Sequence, residues 1–180
     1  AAEIEDVCIE GDGSNEPTGV TKTSGIGSVA IGTNGGAPTW ASVTALVKEV
    51  EQDNAALTDN QGFLTNPKVK HKLGGTAKVS SSDSVMILDD PWNTLYGYPV
   101  RFTTHVPSDL TKGSTSGSCS AMIFGDWSNL VIGFWSGMDV LVDPYTGGAA
   151  GNIRILVHQD LDVGVRHAQS FAACLDYTTT

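Results

Sequence analysis

Histidine and cysteine are the residues of this 180-residue chain with the widest range of chemistry, as metal ligands, acid–base groups or nucleophiles. The four histidines are scattered along the sequence, as His71, His105, His158 and His167. No two of them have the close helical spacing of a zinc site such as HExxH, which places both ligands on one helix face. We therefore predict neither a metal site nor a bound cofactor.

The three cysteines, Cys8, Cys119 and Cys174, are an odd number and lie far apart, with no CxxC pair. Such usage is typical of a chain in a reducing compartment and not of a small scaffold held together by disulfides. Free cysteine is among the most buried residue types. We predict three reduced and partly buried thiols.

Patterns for a nucleophile or an acid–base pair are equally weak. Ser128 lies in GDWS, which lacks the glycine spacing of a GxSxG nucleophile elbow. Asp139 and Asp143 alternate with apolar residues, which is typical of the solvated face of a strand and not of an acid–base pair. The residues predict a protein that is not an enzyme, with a small ligand-binding or enzymatic domain as an open alternative.

The chain is acidic, with 10 lysines and arginines against 20 aspartates and glutamates and a formal charge of −10. An acidic surface repels phosphate backbones, so we predict no specific nucleic-acid binding. No apolar run reaches the roughly 20 residues of a membrane-spanning helix, which predicts no membrane contact. With 40% hydrophobic residues and 21 glycines, the composition indicates a loop-rich globule that contains β-structure.

Three segments carry helix signals. The opening AAEIEDVCIE has apolar residues on one helical stripe and stops at GDGSNEPTG, whose glycines and proline forbid continuation. Thr39 is a predicted N-cap, followed by apolar residues at helical spacing. Asn66 precedes Pro67, which suits the first position of a further short helix after a short strand.

Strands are predicted for most of the rest. YPVRFTTHV is strand-like, with Gly97 and Pro99 punctuating its start. LTKGSTSGS, at 110–118, is predicted to be a mobile polar loop. The closing NIRILVHQDLDVGVRHAQSFAACLDY indicates a long strand, a turn at 166–169 and a last strand. The predicted fold class is α+β.

The segment GDWSNLVIGFWSGMDVLVDP has two of the four tryptophans and no lysine, arginine, histidine or cysteine. Its β-branched and aromatic residues, interrupted by glycines, predict two or three short strands. We predict that Trp135 is a buried anchor, with Gly133 and Gly137 allowing neighbouring backbone close to its ring. Trp127 follows Asp126 at a predicted turn and is expected to be partly exposed. The segment therefore serves packing rather than catalysis.

Five segments, in sequence order, together resemble the major capsid protein of tailed bacteriophages, whose fold is shared with encapsulin nanocompartments. They are GDGSNEPTG, FLTNPKVKHKL, TLYGYPVRFTTHVP, FGDWSNLVIGFWSGMDVLVD and IRILVHQDLDVGVRHAQSFAACLDY. The resemblance extends over almost the whole chain. The candidate residues for the fold or for assembly are Gly11, Gly13, Pro17, Gly19, Gly97, Pro99, Gly125, Asp126, Trp127 and Trp135.

The resemblance implies a phage major capsid fold with two domains. An axial domain, in which helices flank a central mixed sheet, gathers around five-fold or six-fold axes. A peripheral domain is built on a long spine helix and long strands. Residues 1–20 are expected to be the end of the spine helix and its exit turn. Residues 21–148 are the expected axial domain, and residues 149–180 the expected return strands of the peripheral domain.

The function that the resemblance implies is that of a structural subunit of an icosahedral phage or prophage capsid, which self-assembles into pentamers and hexamers that enclose the genome. The implied partners are copies of the chain in capsomer rings, with a scaffold protein or a maturation protease as further partners. The implied location is the virion capsid, and the bacterial host cytoplasm during assembly. An encapsulin-like nanocompartment shell is the main alternative. Because the family's N-terminal arm, extended loop and most of its spine helix do not precede Ala1 here, the chain as given is expected to remain a monomer or small ring.

Overall fold

The computed structural model describes residues 2–53, 58–80, 85–89, 91, 93–146 and 151–179. Their helices are α1 (Ala2–Glu10), α2 (Trp40–Gln52) and α3 (Pro67–Gly74). Their strands are β1 (Gly27–Ser28), β2 (Gln61–Thr65), β3 (Thr94–Leu95), β4 (Tyr98–Phe102), β5 (Leu110–Lys112), β6 (Thr115–Asp126), β7 (Leu130–Phe134), β8 (Asp139–Asp143), β9 (Arg154–His158), β10 (Leu161–Val165) and β11 (Phe171–Thr178). The predicted α+β class is confirmed.

Seven strands form one mixed sheet, called the main sheet below. Its order is β1-β11-β6-β2-β4-β3, and β5 pairs with β6 beside this path. The longest strand, β6, has 12 residues and pairs antiparallel with both β11 and β2. β2 and β4 are parallel, and α3 lies in the connection between them, as a parallel pair requires a crossover.

The alternation of side chains along the central strands gives the main sheet two buried faces. On β6, Met122 and Phe124 belong to the cluster that contains the apolar residues of α2 and α3. The intervening Ala121 and Ile123 belong to a second cluster, with Ile9 of α1. The helices therefore lie on opposite sides of the sheet, α2 and α3 on one face and α1 on the other.

The helix starts predicted from the sequence are confirmed. Thr39 Oγ1 accepts the Ser42 N–H at 3.2 Å, and Ser42 Oγ accepts the Thr39 N–H at 3.1 Å, so α2 begins with a reciprocal capping box. At α3, Asn66 Oδ1 accepts the Val69 N–H at 3.0 Å, with Pro67 at the first helical position.

The turn after α1 depends on glycine because two backbone segments touch there. The Gly19 N–H donates to Gly11 O at 2.9 Å. A Cβ atom on Gly11 would lie 2.1 Å from Pro17 O, and one on Gly19 would lie 2.6 Å from the carbonyl carbon of Ile9. Side chains at either position would push the returning chain away from the end of α1.

The polar segment at 110–118, predicted to be a loop, is a β-hairpin, and that prediction is wrong. β5 pairs with the start of β6 around a turn in which Gly113 has a φ of 56°. Asn34 holds the turn, since its Oδ1 accepts the Ser114 N–H at 3.0 Å and its backbone oxygen accepts the Thr115 hydroxyl at 2.8 Å. Pairing with the rest of the sheet outweighs the loop-like composition.

A second hairpin joins β3 to β4 by two residues. Tyr96 and Gly97 have φ values of 54° and 84°, the left-handed pair that a tight hairpin turn requires. Pro99 follows on β4, and a Cβ atom on Gly62 of the neighbouring strand would lie 3.0 Å from its backbone oxygen. Gly97 and Pro99 therefore shape the edge of the sheet, in agreement with the punctuation predicted there.

A bulge in β11 holds the glycine-rich segment before α2. The register with β6 shifts between Cys174 and Tyr177, and the intervening Asp176 is buried. The carboxylate of Asp176 accepts the Ile31 N–H at 3.1 Å, and its backbone oxygen accepts the Gly36 N–H at 3.1 Å. The glycine-rich segment is thus attached to β11 of the main sheet.

The chain leaves the main sheet after β6 and returns to it in β11. The long closing strand predicted from the sequence is two strands, β9 and β10, followed by a turn and β11. The domain boundary predicted at 148/149 lies outside the described residues. Because β11 pairs with β6, residues on both sides of that boundary share one ladder.

Replacing Gly125 by alanine should destabilise the fold. Its Cβ would lie 2.3 Å from Phe171 Cδ1 and 2.7 Å from Ser170 O, so the β6–β11 pair must shift, at a cost of about 1–3 kcal/mol. Gly164→Ala is the matched control, because that glycine also lies in a strand and has no atom within 4 Å of the added Cβ. Urea unfolding of both variants checks the expectation, and equal midpoints would contradict it.

Candidate assembly surface

Residues 130–146 and 151–165 form a two-stranded ribbon outside the main sheet, which we call the arm. Near the main sheet, β7 pairs antiparallel with β10 from Leu130–Val165 to Phe134–Leu161. Farther out, β8 pairs antiparallel with β9 from Asp139–His158 to Asp143–Arg154. Four residues, 135–138, lie opposite two, 159–160, between these ladders. The Trp135 N–H donates to Asp160 O at 3.0 Å across this irregularity.

The base of the arm packs on the α1 side of the main sheet. Val163 is buried there, and Leu130 and Val165 pack against the cluster that contains Ile9. An apolar groove between α1 and the arm is lined in part by Ile4 and Ile132. The arm is therefore fixed at its base.

The two faces of the outer half of the arm differ in chemistry. Because directly opposed residues share a face, the pairs Val140–Val157 and Val142–Ile155 form one wholly aliphatic face. The other face has Leu141 opposite Leu156 between two pairs of polar residues, each of which contains an aspartate. These pairs are Asp139–His158 and Asp143–Arg154. Asp139 and Asp143 therefore share one strand face, as predicted, and the opposite face of the ribbon is aliphatic.

Exposed apolar side chains concentrate on the arm. Among the described residues, 12 of the 17 exposed large hydrophobic side chains lie on it. They are Val131, Ile132, Phe134, Trp135, Met138, Val140, Leu141, Val142, Tyr145, Ile153, Ile155 and Val157. Soluble monomers rarely expose a contiguous surface of this kind, and such surfaces mark sites of protein association. The arm is therefore the candidate functional site.

Trp135 is 75% exposed, so the prediction of a buried anchor is wrong. Trp135 comes directly after β7 and continues the alternation of Val131 and Gly133, which lie on the strand face turned away from the core. The predicted close approach to a glycine is seen at Gly133, where a Cβ atom would lie 2.7 Å from Trp135 Cζ3. It is not seen at Gly137, which has no atom within 4 Å of such a Cβ.

Trp127 is half-buried at the base of the arm, as predicted. Its Nε1–H donates to Gly62 O at 3.0 Å, and its ring packs edge-on against Phe171 with centroids 5.5 Å apart. Gly125, two residues earlier, leaves the space that the Phe171 ring occupies. These residues join β6, β2 and β11 where the arm begins.

Asp126 fixes the turn from β6 into the arm. Its carboxylate is buried and accepts the Ser128 N–H at 3.0 Å, the Ser128 hydroxyl at 2.7 Å and the Thr58 hydroxyl at 2.8 Å. Burial alone would raise the pKa of Asp126, but the hydrogen bonds from Ser128 and Thr58 outweigh it and hold the pKa below its usual value. Ser128, two residues after Asp126, is a partner that the sequence indicates, but the sequence gives no signal for Thr58, which is 68 residues away.

The candidate residues predicted from the sequence lie in separate places. Gly11, Gly13, Pro17 and Gly19 form the turn after α1. Gly97 and Pro99 lie at the sheet edge formed by β3 and β4. Gly125, Asp126 and Trp127 meet at the base of the arm, and Trp135 lies farther along it. The aliphatic face at Val140 and Ile155 was missed, although DVLVD and RILVH have only apolar residues at the alternate positions that form it.

The groups first considered for chemistry are dispersed in the structure. Cys8, Cys119 and Cys174 are free, as predicted, and more fully buried than predicted, and burial raises the pKa of each thiol. Within the described ranges, no cluster of three or more histidine, cysteine, aspartate or glutamate residues could hold a metal ion. No helix in that part of the chain is long and apolar enough to span a membrane.

The comparison with solved structures gives the fold. At 22% identity, the chain is similar to the capsid of an empty GTA particle, with a TM-score of 0.68 over 98% of this chain and 62% of that one. It is similar at 15% identity to the SrpI encapsulin of Synechococcus elongatus, with a TM-score of 0.58 over 99% of this chain and 62% of that one. The fold is thus the one shared by phage capsid proteins and encapsulins.

The sequence comparison gives the family. The model of the phage capsid family matches residues 1–174, and the chain belongs to that family. It is 24% identical over 158 residues to the major capsid protein of Halomonas phage phiHAP-1. This match covers 88% of the chain and 23% of the relative, so the chain spans about a quarter of the curated relative's length.

Replacing Trp135 by alanine should change the free energy of unfolding by no more than about 0.5 kcal/mol, because a side chain exposed to this degree contributes little to the core. Phe124→Ala is the contrasting variant. The Phe124 ring is fully buried, and its centroid lies 4.6 Å from that of the Phe63 ring. Its loss should lower the free energy of unfolding by about 3–5 kcal/mol. Urea melts decide, and a large loss for Trp135→Ala would mean that the ring is buried in solution.

Replacing Asp126 by asparagine should remove an acid-sensitive part of the stability. Folding lowers the pKa of this carboxyl group, so its ionised form stabilises the folded state. The contribution is complete above the pKa of the unfolded chain, about 3.9, and is lost as the pH falls through the pKa of the folded state. We expect the parent to be more stable than Asp126→Asn at pH 7 and the difference to shrink below about pH 4. Urea midpoints from pH 7 to pH 3 measure it, and a constant difference would contradict the assignment.

Proposed function

We propose that this chain belongs to the structural subunit of an icosahedral phage or prophage capsid. Its copies assemble into pentamers and hexamers that enclose the genome. Membership of the phage capsid family and the shared fold support the proposal, and the observation that carries it is the exposed apolar surface of the arm. A subunit of a closed shell buries such a surface against other copies of itself.

The chemistry of the arm fits contacts between proteins better than catalysis. Its outer half combines an aliphatic face, at Val140 and Val157, with an opposite face that has aspartates across from a histidine and an arginine. Interfaces between permanent partners are apolar at their centre and polar at their rim. The proposed role is therefore structural, without an enzymatic activity.

The division into an axial domain, residues 21–148, and a peripheral domain, residues 1–20 and 149–180, stays a proposal. The β6–β11 ladder favours a modified form of it, in which residues 171–178 belong to the axial part. The arm and α1 then form the peripheral part, because the base of the arm packs on the same face of the sheet as α1.

An encapsulin-like nanocompartment shell is the second candidate, favoured by the similarity of fold to the SrpI encapsulin. The two candidates differ in what the particle contains, nucleic acid or protein. A scaffold protein and a maturation protease are proposed as further partners on the family resemblance alone. The proposed location is the virion capsid, with the host cytoplasm as the place of assembly.

The test is assembly of the complete gene product that carries this sequence. We expect closed particles in electron microscopy, with nuclease-protected DNA when they form during phage production. Val140→Asp should prevent assembly, because it buries a charge in the aliphatic face. Val79→Asp is the matched control, since Val79 is also an exposed valine, at 57% against 52%, and lies outside the arm.

Two results would contradict the proposal. A parent protein that stays monomeric at all concentrations would exclude a shell subunit of either kind. Particles that enclose protein and no nucleic acid would favour the encapsulin-like candidate instead.

A further inference from the structure

We propose that Trp135 is the anchor residue through which the arm binds a second copy of this chain. The inference rests on the proposed function and deepens it, because it names the residue and the site on the arm. The exposed ring lies beside a shallow trough that the rest of the fold does not fill.

Glycines form the floor of this trough. Gly133 on β7 lies opposite Asp162, and Gly164 on β10 lies opposite Val131, so two adjacent cross-strand pairs on this face each contain one glycine. Val131 and the ring of Trp135 form the walls. A Cβ atom on Gly164 would meet nothing within 4 Å, which means that the space above it is open.

Gly133 sets the position of the ring. A Cβ atom there would lie 2.7 Å from Trp135 Cζ3, too close for the ring to stay where it is. The indole therefore rests on bare backbone, with most of its surface free. Exposing so much aromatic surface to water is unfavourable, and a partner that covers it recovers that free energy.

The size of the trough indicates what occupies it. Its volume of about 150 Å³ is below the roughly 300–1,000 Å³ of pockets that hold small-molecule ligands. It suits a single side chain of another protein. Asp162 is the one charged residue in its lining, so an apolar side chain fits best.

A second copy of the chain is the partner that the surface favours. The outer half of the arm offers aliphatic side chains such as Val142 and Ile155, more than 50% exposed. Neither of these residues lines the trough beside the Trp135 of its own chain, so a second copy must supply it. The resulting contact pairs two different surfaces, as head-to-tail rings require.

Trp135 is suited to dominate such a contact. Tryptophan is enriched among the few interface residues that carry most of the binding energy, and these lie in pockets that become dry on binding. Removing it should therefore affect association far more than folding. This contrast separates an anchor from a residue that merely supports the arm.

The experiment compares the parent with Trp135→Ala, Trp135→Phe and Gly133→Ala in the complete gene product. Sedimentation gives the dissociation constant between copies, and urea melts give stability. We expect Trp135→Ala to weaken association at least about 30-fold, the effect of losing a hot-spot side chain, with an unchanged melt. Trp135→Phe should retain part of the affinity, and Gly133→Ala should weaken association by displacing the ring.

Gly137→Ala is the control, because an added Cβ there has no atom within 4 Å. A second readout is iodide quenching of the fluorescence that the parent has and Trp135→Phe lacks. This signal should be quenched in separate copies and protected in the assembly. Equal association of parent and Trp135→Ala, or a ring still open to iodide in the assembly, would overturn the anchor alone. A parent that never associates would overturn the proposed function together with it.

Discussion

The antiparallel ladder between β6 and β11 is the interaction on which the rest of the structure depends. Alternation along these two strands sends side chains into both hydrophobic clusters, so one ladder holds α2 and α3 on one face and α1 on the other. Gly125 makes this ladder possible at its end near the arm, since the Phe171 ring occupies the space of a side chain there. The main sheet extends from this pair on both sides, through β1 beside β11 and through β2 beside β6.

Two buried carboxylates attach loops to that ladder. Asp126, at the end of β6, fixes the turn into the arm through Ser128 and Thr58. Asp176, in the bulge of β11, holds the glycine-rich segment by the Ile31 N–H. A buried carboxylate is costly unless it accepts hydrogen bonds, and both accept them from the loops that they hold. The loops are therefore fixed by the same groups whose burial they make tolerable.

The arm shows what the same alternation does when no second layer is present. A two-stranded ribbon is marginally stable in water, and here only its base is covered, where Leu130 and Val165 pack against the cluster that contains Ile9. Its outer half keeps an aliphatic face in the open, which is unfavourable for a lone molecule and useful for one that associates. The surface that would weaken a monomer is thus the surface that a shell subunit needs.

The sequence by itself determined the elements with local signals. The caps at Thr39 and Asn66, the glycine turn after α1 and the turn at Gly97 depend on residues within a few positions, and so do the apolar strands of residues 125–144. It also determined the α+β class and, by resemblance, the family.

Only the tertiary structure decided which strand faces are covered. Trp135 has the composition of a core residue and is exposed, because burial depends on whether another layer lies over that face. Likewise the polar segment at 110–118 is a hairpin because distant residues, Asn34 among them, complete its hydrogen bonds. Long-range pairing depends on residues that are far apart in the sequence, so a short stretch of sequence does not predict it.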